Sequence, residues 1–305
     1  GELMKAKSKI LFLLLFVVLC SAIYLACTSE DKTAEKNSIS IYCDESIYNL
    51  LQEPFQEYNA RFKEIETNHK SATSWDVMTS FLSGEVPIIF TSRDFTKRED
   101  SLMKVYKVET IKKYPVANDA LVFFTQLNTP LDTLTDAQIV DALVNGTPLM
   151  PIYKKLTEEP TFVINNENSS EYENLLNLVA KYKKIIRKLV ILNSTDSVKQ
   201  YIKTHQNSIG IGYLSHILSD TEIKPLPISY INEKGEYIYP RTVHQANIIQ
   251  RLYPYVVTHY VMIFDENNST ANSIVNFFRY GSGIVQKYFN KIGIVPAVAK
   301  VNLVQ

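Results

Sequence analysis

The segment "FVINNENSSEYENLL", residues 162–176, has the order of a strand, a polar loop and the start of a helix. Many α/β proteins bind an anion at such a junction, because a helix N-terminus offers unpaired N–H groups and a partial positive charge. The loop contains no arginine, lysine or glycine, and Ser169 or Ser170 could serve as a helix cap without any ligand. The segment therefore has the shape of an anion site but lacks most of its chemistry.

Residue types that support catalysis or metal binding form no recognised pattern in the sequence. The five histidines lack metal-ligand spacings such as HExxH, and there is neither a GxSxG motif nor a P-loop. We therefore predict a protein that is not an enzyme, holds no metal and needs no cofactor, with its histidines alone on the surface. Lys+Arg and Asp+Glu are equal at 32 each, which argues against a nucleic-acid partner.

The N-terminus predicts attachment to a membrane. Three lysines precede an uncharged run, residues 10–26, which is followed by Cys27. This arrangement is typical of a signal peptide and resembles a bacterial lipoprotein signal, in which Cys27 would be lipidated. Residues 1–27 would then be the signal peptide and residues 28–37 a flexible polar tether. The alternative is a retained transmembrane anchor, although a typical span needs about 20 apolar residues. Either reading places the remainder outside the cytoplasm.

From Ser38 onward, predicted strands and helices alternate, which indicates an α/β protein with largely parallel sheets. "SISIYC" is a strand by its period-2 alternation, and Cys43 within it is predicted to be a small buried hydrophobe. Ser46 is expected to cap the next helix, which Pro54 breaks or restarts. The segment "EYENLLNLVAKYKKIIRKL" is the best helix by apolar spacing.

Five stretches, read in order, resemble the phosphate-binding family of solute-binding proteins that serve ABC importers. They are "SISIYCDESIYNLL", "ATSWDVMTSFLSGEVPIIFTSRDFTKRE", "VANDALVFFTQLNTPLDTLTDAQIVDALVNG", "SIGIGYLS", and the closing pair "YPYVVTHYVMI" and "KIGIVPAV". The resemblance covers roughly residues 38–300. It implies a type II periplasmic-binding-protein fold, in which two α/β lobes are joined by two crossing strands and hold a ligand in the cleft between them.

By this resemblance the crossings fall near Ala120 and Tyr255. The sequence then divides into lobe one, residues 38–119 plus 256–305, and lobe two, residues 120–255.

The resemblance also assigns ligand-binding positions. In the family, phosphate is bound by hydroxyl groups, by backbone N–H groups at helix N-termini and by an arginine. The matching positions here are Ser46, Ser74, Thr91, Ser92, Arg93, Asn165, Ser169 and Ser170. Arg93 is the best cation available to an anionic ligand, unless it forms a salt bridge with a nearby carboxylate such as Asp94.

Several positions depart from the family pattern. Asp44 and Glu45 place carboxylates beside the first loop, and Trp75 replaces a glycine, where it could stack on a flatter ligand or fill the cleft. Asn165 stands where the family has an arginine, and Glu171 where it has a threonine. The missing arginine alone should weaken phosphate binding about ten- to a hundredfold. The sequence therefore predicts a ligand that is neutral or less charged than phosphate, or no ligand.

Two functions remain open. The first is a solute-binding lipoprotein that captures a small ligand, an oxyanion or another solute, for an ABC permease. The second is an envelope lipoprotein of the same fold that has lost small-molecule binding and acts as a docking or structural subunit of a larger complex. Both place the protein in the cell envelope, anchored to a membrane by lipid and either periplasmic or surface-exposed.

Overall fold

The structure is a computed structural model and describes residues 37–264, 267–280 and 283–297. The predicted signal peptide, its Cys27 and nearly all of the predicted tether lie outside these residues. Within the described ranges, no helix combines the length and the apolar character needed to cross a membrane.

Strands and helices alternate as the sequence predicts. The strands are β1 (Asn37–Asp44), β2 (Ile65–Ala72), β3 (Ile88–Thr91), β4 (Lys112–Gln126), β5 (Leu134–Thr135), β6 (Thr161–Asn165), β7 (Leu189–Leu192), β8 (Ser208–Tyr213), β9 (Ile223–Pro225), β10 (Ile228–Ile231), β11 (Tyr237–Ile238), β12 (Val256–Ile263) and β13 (Val295–Pro296). The helices are α1 (Glu45–Arg61), α2 (Ser74–Leu82), α3 (Lys97–Val105), α4 (Asp136–Val144), α5 (Ser170–Asn174), α6 (Thr195–Thr204), α7 (Leu214–Ile217), α8 (Gln245–Ile249), α9 (Ser269–Arg279) and α10 (Ile284–Ile292).

The long strand β4 belongs to both lobes. Lobe one has the strand order β2-β1-β3-β12-β4, and lobe two continues as β4-β8-β6-β7. β1 is parallel to β2 and β3, and β6 is parallel to β7 and β8, whereas β4 is antiparallel to both β12 and β8. The predicted two-lobed α/β fold with crossing strands is thereby confirmed.

The pairing of β4 changes between Ala120, opposite Val256 of β12, and Leu121, opposite Tyr213 of β8. The Leu121 N–H also donates to the Tyr255 carbonyl oxygen at 2.9 Å. The exact residues that divide the two lobes stay a prediction.

Each lobe has an apolar core of its own. In lobe one, Phe55 of α1 packs against Phe278 of α9 with ring centroids 5.0 Å apart. In lobe two, Phe123 and Phe162 make an edge contact at 6.3 Å. Burying one such side chain contributes about 1.5–3 kcal/mol to stability. Cys43 lies fully buried in the lobe-one core as a free thiol, as predicted.

Two predictions about α1 are wrong. Asp44 rather than Ser46 caps the helix, because the Asp44 carboxylate accepts a hydrogen bond from the Ser46 N–H at 3.1 Å. The helix also runs without a break through Pro54, which lies buried with Leu51 and Phe55 on its core-facing side. Packing of this apolar face therefore outweighs the backbone hydrogen bond that proline cannot donate.

The long helix predicted for "EYENLLNLVAKYKKIIRKL" is also wrong. α5 widens into a π-helical turn at Leu175–Val179, and the chain then reverses through Lys181 and Tyr182, whose φ angles are 52° and 57°. The N–H groups of Ile186 and Arg187 instead donate to the Leu143 carbonyl oxygen at the end of α4, each at 3.1 Å. Tertiary hydrogen bonding thus outweighs the helical periodicity of this segment.

Candidate functional site

Four hydroxyl groups from both lobes meet where the carboxyl ends of β1 and β3 face the start of α5. The Ser46 Oγ lies 2.8 Å from the Ser170 Oγ and 3.2 Å from the Ser92 Oγ. The Tyr213 hydroxyl donates to the Ser170 Oγ at 2.8 Å. We call these four groups the hydroxyl cluster. Its side chains are buried and in direct hydrogen-bond contact, so no phosphate-sized ligand fits between the serines.

The carboxylate of Asp44 lies on the lobe-one side of the hydroxyl cluster. Its Oδ1 accepts from the Ser46 N–H at 3.1 Å and from the Ser46 Oγ at 2.8 Å. Its Oδ2 accepts from the Ser92 N–H at 3.4 Å. These are the kinds of donor that bind anions at helix N-termini. A side chain of the protein therefore accepts hydrogen bonds that a bound oxyanion would otherwise accept.

Arg93 is bound to protein groups. Its guanidinium makes a bidentate pair with Glu99, with Nη2–Oε1 and Nη1–Oε2 distances of 2.6 and 2.8 Å, and its Nε donates to the Ser74 Oγ at 2.6 Å. Both charged side chains are almost completely buried. Arg93 therefore forms a salt bridge, as the sequence alternative proposed, but its partner is Glu99. Asp94 pairs with Lys113 instead.

The loop before α5 contacts lobe one directly. The Asn165 Nδ2 donates to the Glu45 Oε1 at 3.1 Å, and the Asn166 Nδ2 donates to the same oxygen at 2.7 Å. The Trp75 N–H at the start of α2 donates to the Asn168 carbonyl oxygen at 3.1 Å. Hydrogen bonds outside the hydroxyl cluster therefore also join the two lobes.

The remaining predicted residues have other contacts. Ser169 caps α5, where its Oγ accepts from the Tyr172 N–H at 3.2 Å. Thr91 is buried, and its Oγ1 has no hydrogen-bond partner within the part of the chain that the structure describes. The Trp75 ring lies 3.8 Å from the Arg98 guanidinium carbon, which is a cation–π contact.

Two acidic side chains near the hydroxyl cluster have raised pKa values. Glu171 is 1% exposed, and burial, together with the nearby charge of Asp44, raises its pKa to about 8. Its carboxyl group is therefore mostly protonated at neutral pH. Burial also raises the pKa of Glu45, although hydrogen bonds from Asn166 and Asn165 oppose the shift. The cluster thus lies in an environment that disfavours added negative charge.

Three histidines correct the prediction that all five lie alone on the surface. His69 is partly buried and stacks on Phe55 with ring centroids 4.5 Å apart. His216 of α7 bridges the lobes, since its Nε2 lies 2.7 Å from the Ser46 carbonyl oxygen while its Nδ1 accepts from the Tyr213 N–H at 3.2 Å. Burial lowers the pKa of His216. His259 is 1% exposed, and its Nε2 lies 3.3 Å from the Asp119 Oδ2.

A cavity of about 530 Å³ lies beside the hydroxyl cluster and takes its walls from both lobes. Its lining residues are Glu45, Ser46, Asn49, Leu50, Asn165, Ser194, Thr195, Asp196, Lys199, Ser215, His216, Leu218, Ser219, Tyr288 and Ile292. Lys199 pairs with Asp196 at 2.9 Å, whereas Glu45 is bound by two neutral asparagine amides. The charges of the described lining residues therefore favour a neutral or cationic occupant.

Sequence reasoning missed Asn174 and Tyr213 as parts of the site. The Asn174 Nδ2 donates to the Ser92 carbonyl oxygen at 2.9 Å and to the Tyr213 hydroxyl at 2.7 Å. Tyr213 ends the strand "SIGIGY", so its position at a strand end was the available signal. Asn174 gave no such signal, because it lies within the predicted helix.

A family model described as a PBP superfamily domain matches residues 28–280. A search of curated protein sequences finds no match. One similar solved structure is that of a putative phosphate ABC transporter substrate-binding protein from Clostridium perfringens with bound phosphate. Its TM-score is 0.70 and its sequence identity is 16%, and the match covers 85% of this chain and 99% of that one.

Two further structures show the range of proteins with this fold. An ABC-type phosphate transport receptor from Vibrio cholerae has a TM-score of 0.65 and 15% identity, over 85% of this chain and 100% of its own. A regulatory domain from Synechocystis, in complex with 2-PG, has a TM-score of 0.54 and 12% identity, over 79% and 95%. These relatives are binding and regulatory proteins rather than enzymes, which agrees with the prediction from the sequence. At such identities the likeness shows the fold alone. The family match covers most of the chain, which therefore belongs to the PBP superfamily.

Proposed function

We propose that this chain is a solute-binding protein of the cell envelope, which captures a small polar solute between its lobes and presents it to an ABC permease. The observation that carries the proposal is the cavity of about 530 Å³, which has lining residues in both lobes. Glu45 and Asn49 come from α1 of lobe one, and Thr195 and Ser215 come from lobe two. A solute bound there would contact both lobes and favour their closed arrangement.

The proposed solute is neutral or cationic. Glu45 supplies a carboxylate to the cavity, and Arg93, the cation that the sequence offered to an anion, is neutralised by Glu99. The family resemblance would by itself suggest phosphate, but the contacts of Ser46, Ser74, Ser92 and Arg93 with other protein groups argue against it. The assignment of the predicted residues to ligand binding remains part of the proposal.

A thermal-unfolding screen tests this function. The panel would contain primary amines, amino acids and polyols, together with phosphate, sulfate and molybdate. A solute at about a hundredfold excess over its dissociation constant should add about 2.7 kcal/mol to the free energy of unfolding. Asn49→Trp would fill the cavity from α1 and should abolish the shift. Gln56→Trp, on an exposed part of the same helix, is the matched control.

The proposal includes anchoring through a lipid on Cys27. Incorporation of a labelled fatty acid into the wild-type protein, and its loss in Cys27→Ser, would support the anchor. Equal labelling of the two proteins would refute it.

The second candidate is an envelope subunit that binds no solute. It is favoured by one observation, the direct 2.8 Å contact between Ser46 and Ser170, which joins the lobes without a ligand. The absence of any thermal shift across the panel, together with co-purification with other envelope proteins, would favour this candidate over the first.

A further inference from the structure

The hydrogen bonds of the hydroxyl cluster have one consistent direction. A hydroxyl group has a single proton, so each can donate only once. Tyr213 donates to Ser170, and Ser46 donates to Asp44. Because the Ser46 proton is already committed, Ser170 must be the donor in the 2.8 Å bond between the two serines. Asn174 starts the series by donating to Tyr213. The series therefore runs from lobe two into lobe one and ends on the Asp44 carboxylate.

Two backbone N–H groups also donate hydrogen bonds to the Asp44 carboxylate. The Ser46 N–H belongs to the first turn of α1, and the Ser92 N–H follows the end of β3. A simple helix cap needs one oxygen and an N–H group of its own helix. Here the second carboxylate oxygen accepts from a different element, and the whole carboxylate is buried. Asp44 thus accepts hydrogen bonds from the helix N-terminus, from the strand end and from the hydroxyl series. A bound oxyanion would accept the same hydrogen bonds.

A second buried carboxyl group adjoins this arrangement. Glu171 is 1% exposed, and its Oε2 has no hydrogen-bond partner among the described residues. Its pKa is raised first by burial and then by the charge of Asp44, so the two carboxyl groups are electrostatically coupled. The site therefore already contains one anion and resists a second.

We propose that the Asp44 carboxylate acts as an intramolecular anion. It accepts the hydrogen bonds of the hydroxyl cluster and thereby prevents a free oxyanion from binding in the cleft. The inference rests on the proposed function for its biological meaning, because it names the class of solute that the binding protein excludes. A free oxyanion would have to displace a tethered carboxylate, whose effective concentration at these donors is far above that of a dissolved ion.

Substitution of Asp44 tests the inference, with inorganic phosphate as the probe and titration calorimetry at neutral pH as the measurement. Asp44→Ser keeps a residue that can cap α1 but withdraws the carboxylate, so the Ser46 hydroxyl and the Ser92 N–H lose their acceptor. We expect its phosphate affinity to exceed that of the wild-type protein by about tenfold or more. Asp44→Asn is the matched control, because its amide oxygen still accepts at the same position, and it should not gain affinity.

Two outcomes would overturn the inference. One is a gain in phosphate affinity in Asp44→Asn equal to that in Asp44→Ser, and the other is no gain in a folded Asp44→Ser. If Asp44→Ser does not fold, residue-resolved amide hydrogen exchange of the wild-type protein tests the inference instead. The Ser46 and Ser92 amides should be protected and unaffected by phosphate, whereas unprotected or phosphate-sensitive amides would contradict the inference. Failure of the proposed function would appear separately, as a wild-type protein that no solute of the screen stabilises.

Discussion

Arg93 and Glu99 form a bidentate ion pair in which both side chains are almost completely buried. Glu99 also accepts from the Thr96 N–H at 2.8 Å and completes the capping box of α3. The arginine that the sequence offered as the ligand's counter-ion is therefore part of the packing between β3, α2 and α3.

Arg93→Ala should destabilise the fold. The substitution leaves the buried Glu99 carboxylate without its cation, and breaking such a pair costs about 3–5 kcal/mol. Urea unfolding of the variant should show a correspondingly lower midpoint. Arg98→Ala, which removes a more exposed arginine stacked on Trp75, is the control and should cost much less. A fully stable Arg93→Ala protein that has lost solute binding would instead assign Arg93 to the ligand.

Glu171→Gln should remove a pH dependence of stability. The pKa of Glu171 rises from 4.5 to about 8 on folding, so the folded state holds a proton that the unfolded state releases. Wild-type stability should therefore fall as pH rises from about 4.5 to about 8, by up to about 1.4 kcal/mol per pH unit. Glutamine can still accept from Thr195 and does not ionise, so the variant should lack this contribution.

The measurement is the difference between wild-type and Glu171→Gln free energies of unfolding across that pH range. All other titrating groups are common to the two proteins, so the difference reports the ionisation of Glu171 together with its interaction with Asp44. Glu167→Gln, in the preceding loop, is the control for loss of a carboxylate. Parallel profiles of wild type and Glu171→Gln would show that Glu171 ionises normally in the folded protein.

His216 should make the contact between the lobes sensitive to acid. Its pKa is lowered from 6.5 by burial, so the folded state favours the neutral ring. The unfolded state binds the proton more readily, and stability should be lost as pH falls below about 6.5 towards the lower folded pKa. Protonation of Nδ1 would also break the hydrogen bond from the Tyr213 N–H.

The groups that act on the His216 ring are the Ser46 carbonyl, Asp119, Lys199 and His259. Titration of the ring protons by NMR would report its pKa, and His216→Gln should flatten the acid limb of the stability profile. The exposed His205 provides the control variant His205→Gln. An ordinary titration of His216 near 6.5 would contradict the predicted role.

Much of the alternation of strands and helices could be predicted from local sequence, because strands such as "SISIYC" follow their intrinsic pattern. β2 was not predicted, since "IETNHKSA" has little apolar alternation and is held by parallel pairing to β1. The family resemblance listed Ser46, Ser92 and Ser170 together among the ligand-binding positions. The sequence could not reveal which group accepts the hydrogen bonds of these serines. Asp44 is equally compatible with a helix cap and with a departure from an anion site.

Ser170→Ala should loosen the contact between the lobes. Ser170 accepts from Tyr213 and lies 2.8 Å from Ser46, so the variant loses the direct serine bridge and leaves the Tyr213 hydroxyl without this acceptor. A buried polar group without its partner costs about 1–3 kcal/mol. Because part of that cost is relieved when the lobes separate and water enters, small-angle X-ray scattering should show a larger radius of gyration than for wild type. Ser101→Ala, on the exposed surface of α3, should leave the radius unchanged. A Ser170→Ala protein with the wild-type radius and stability would mean that the serine bridge does not hold the lobes closed.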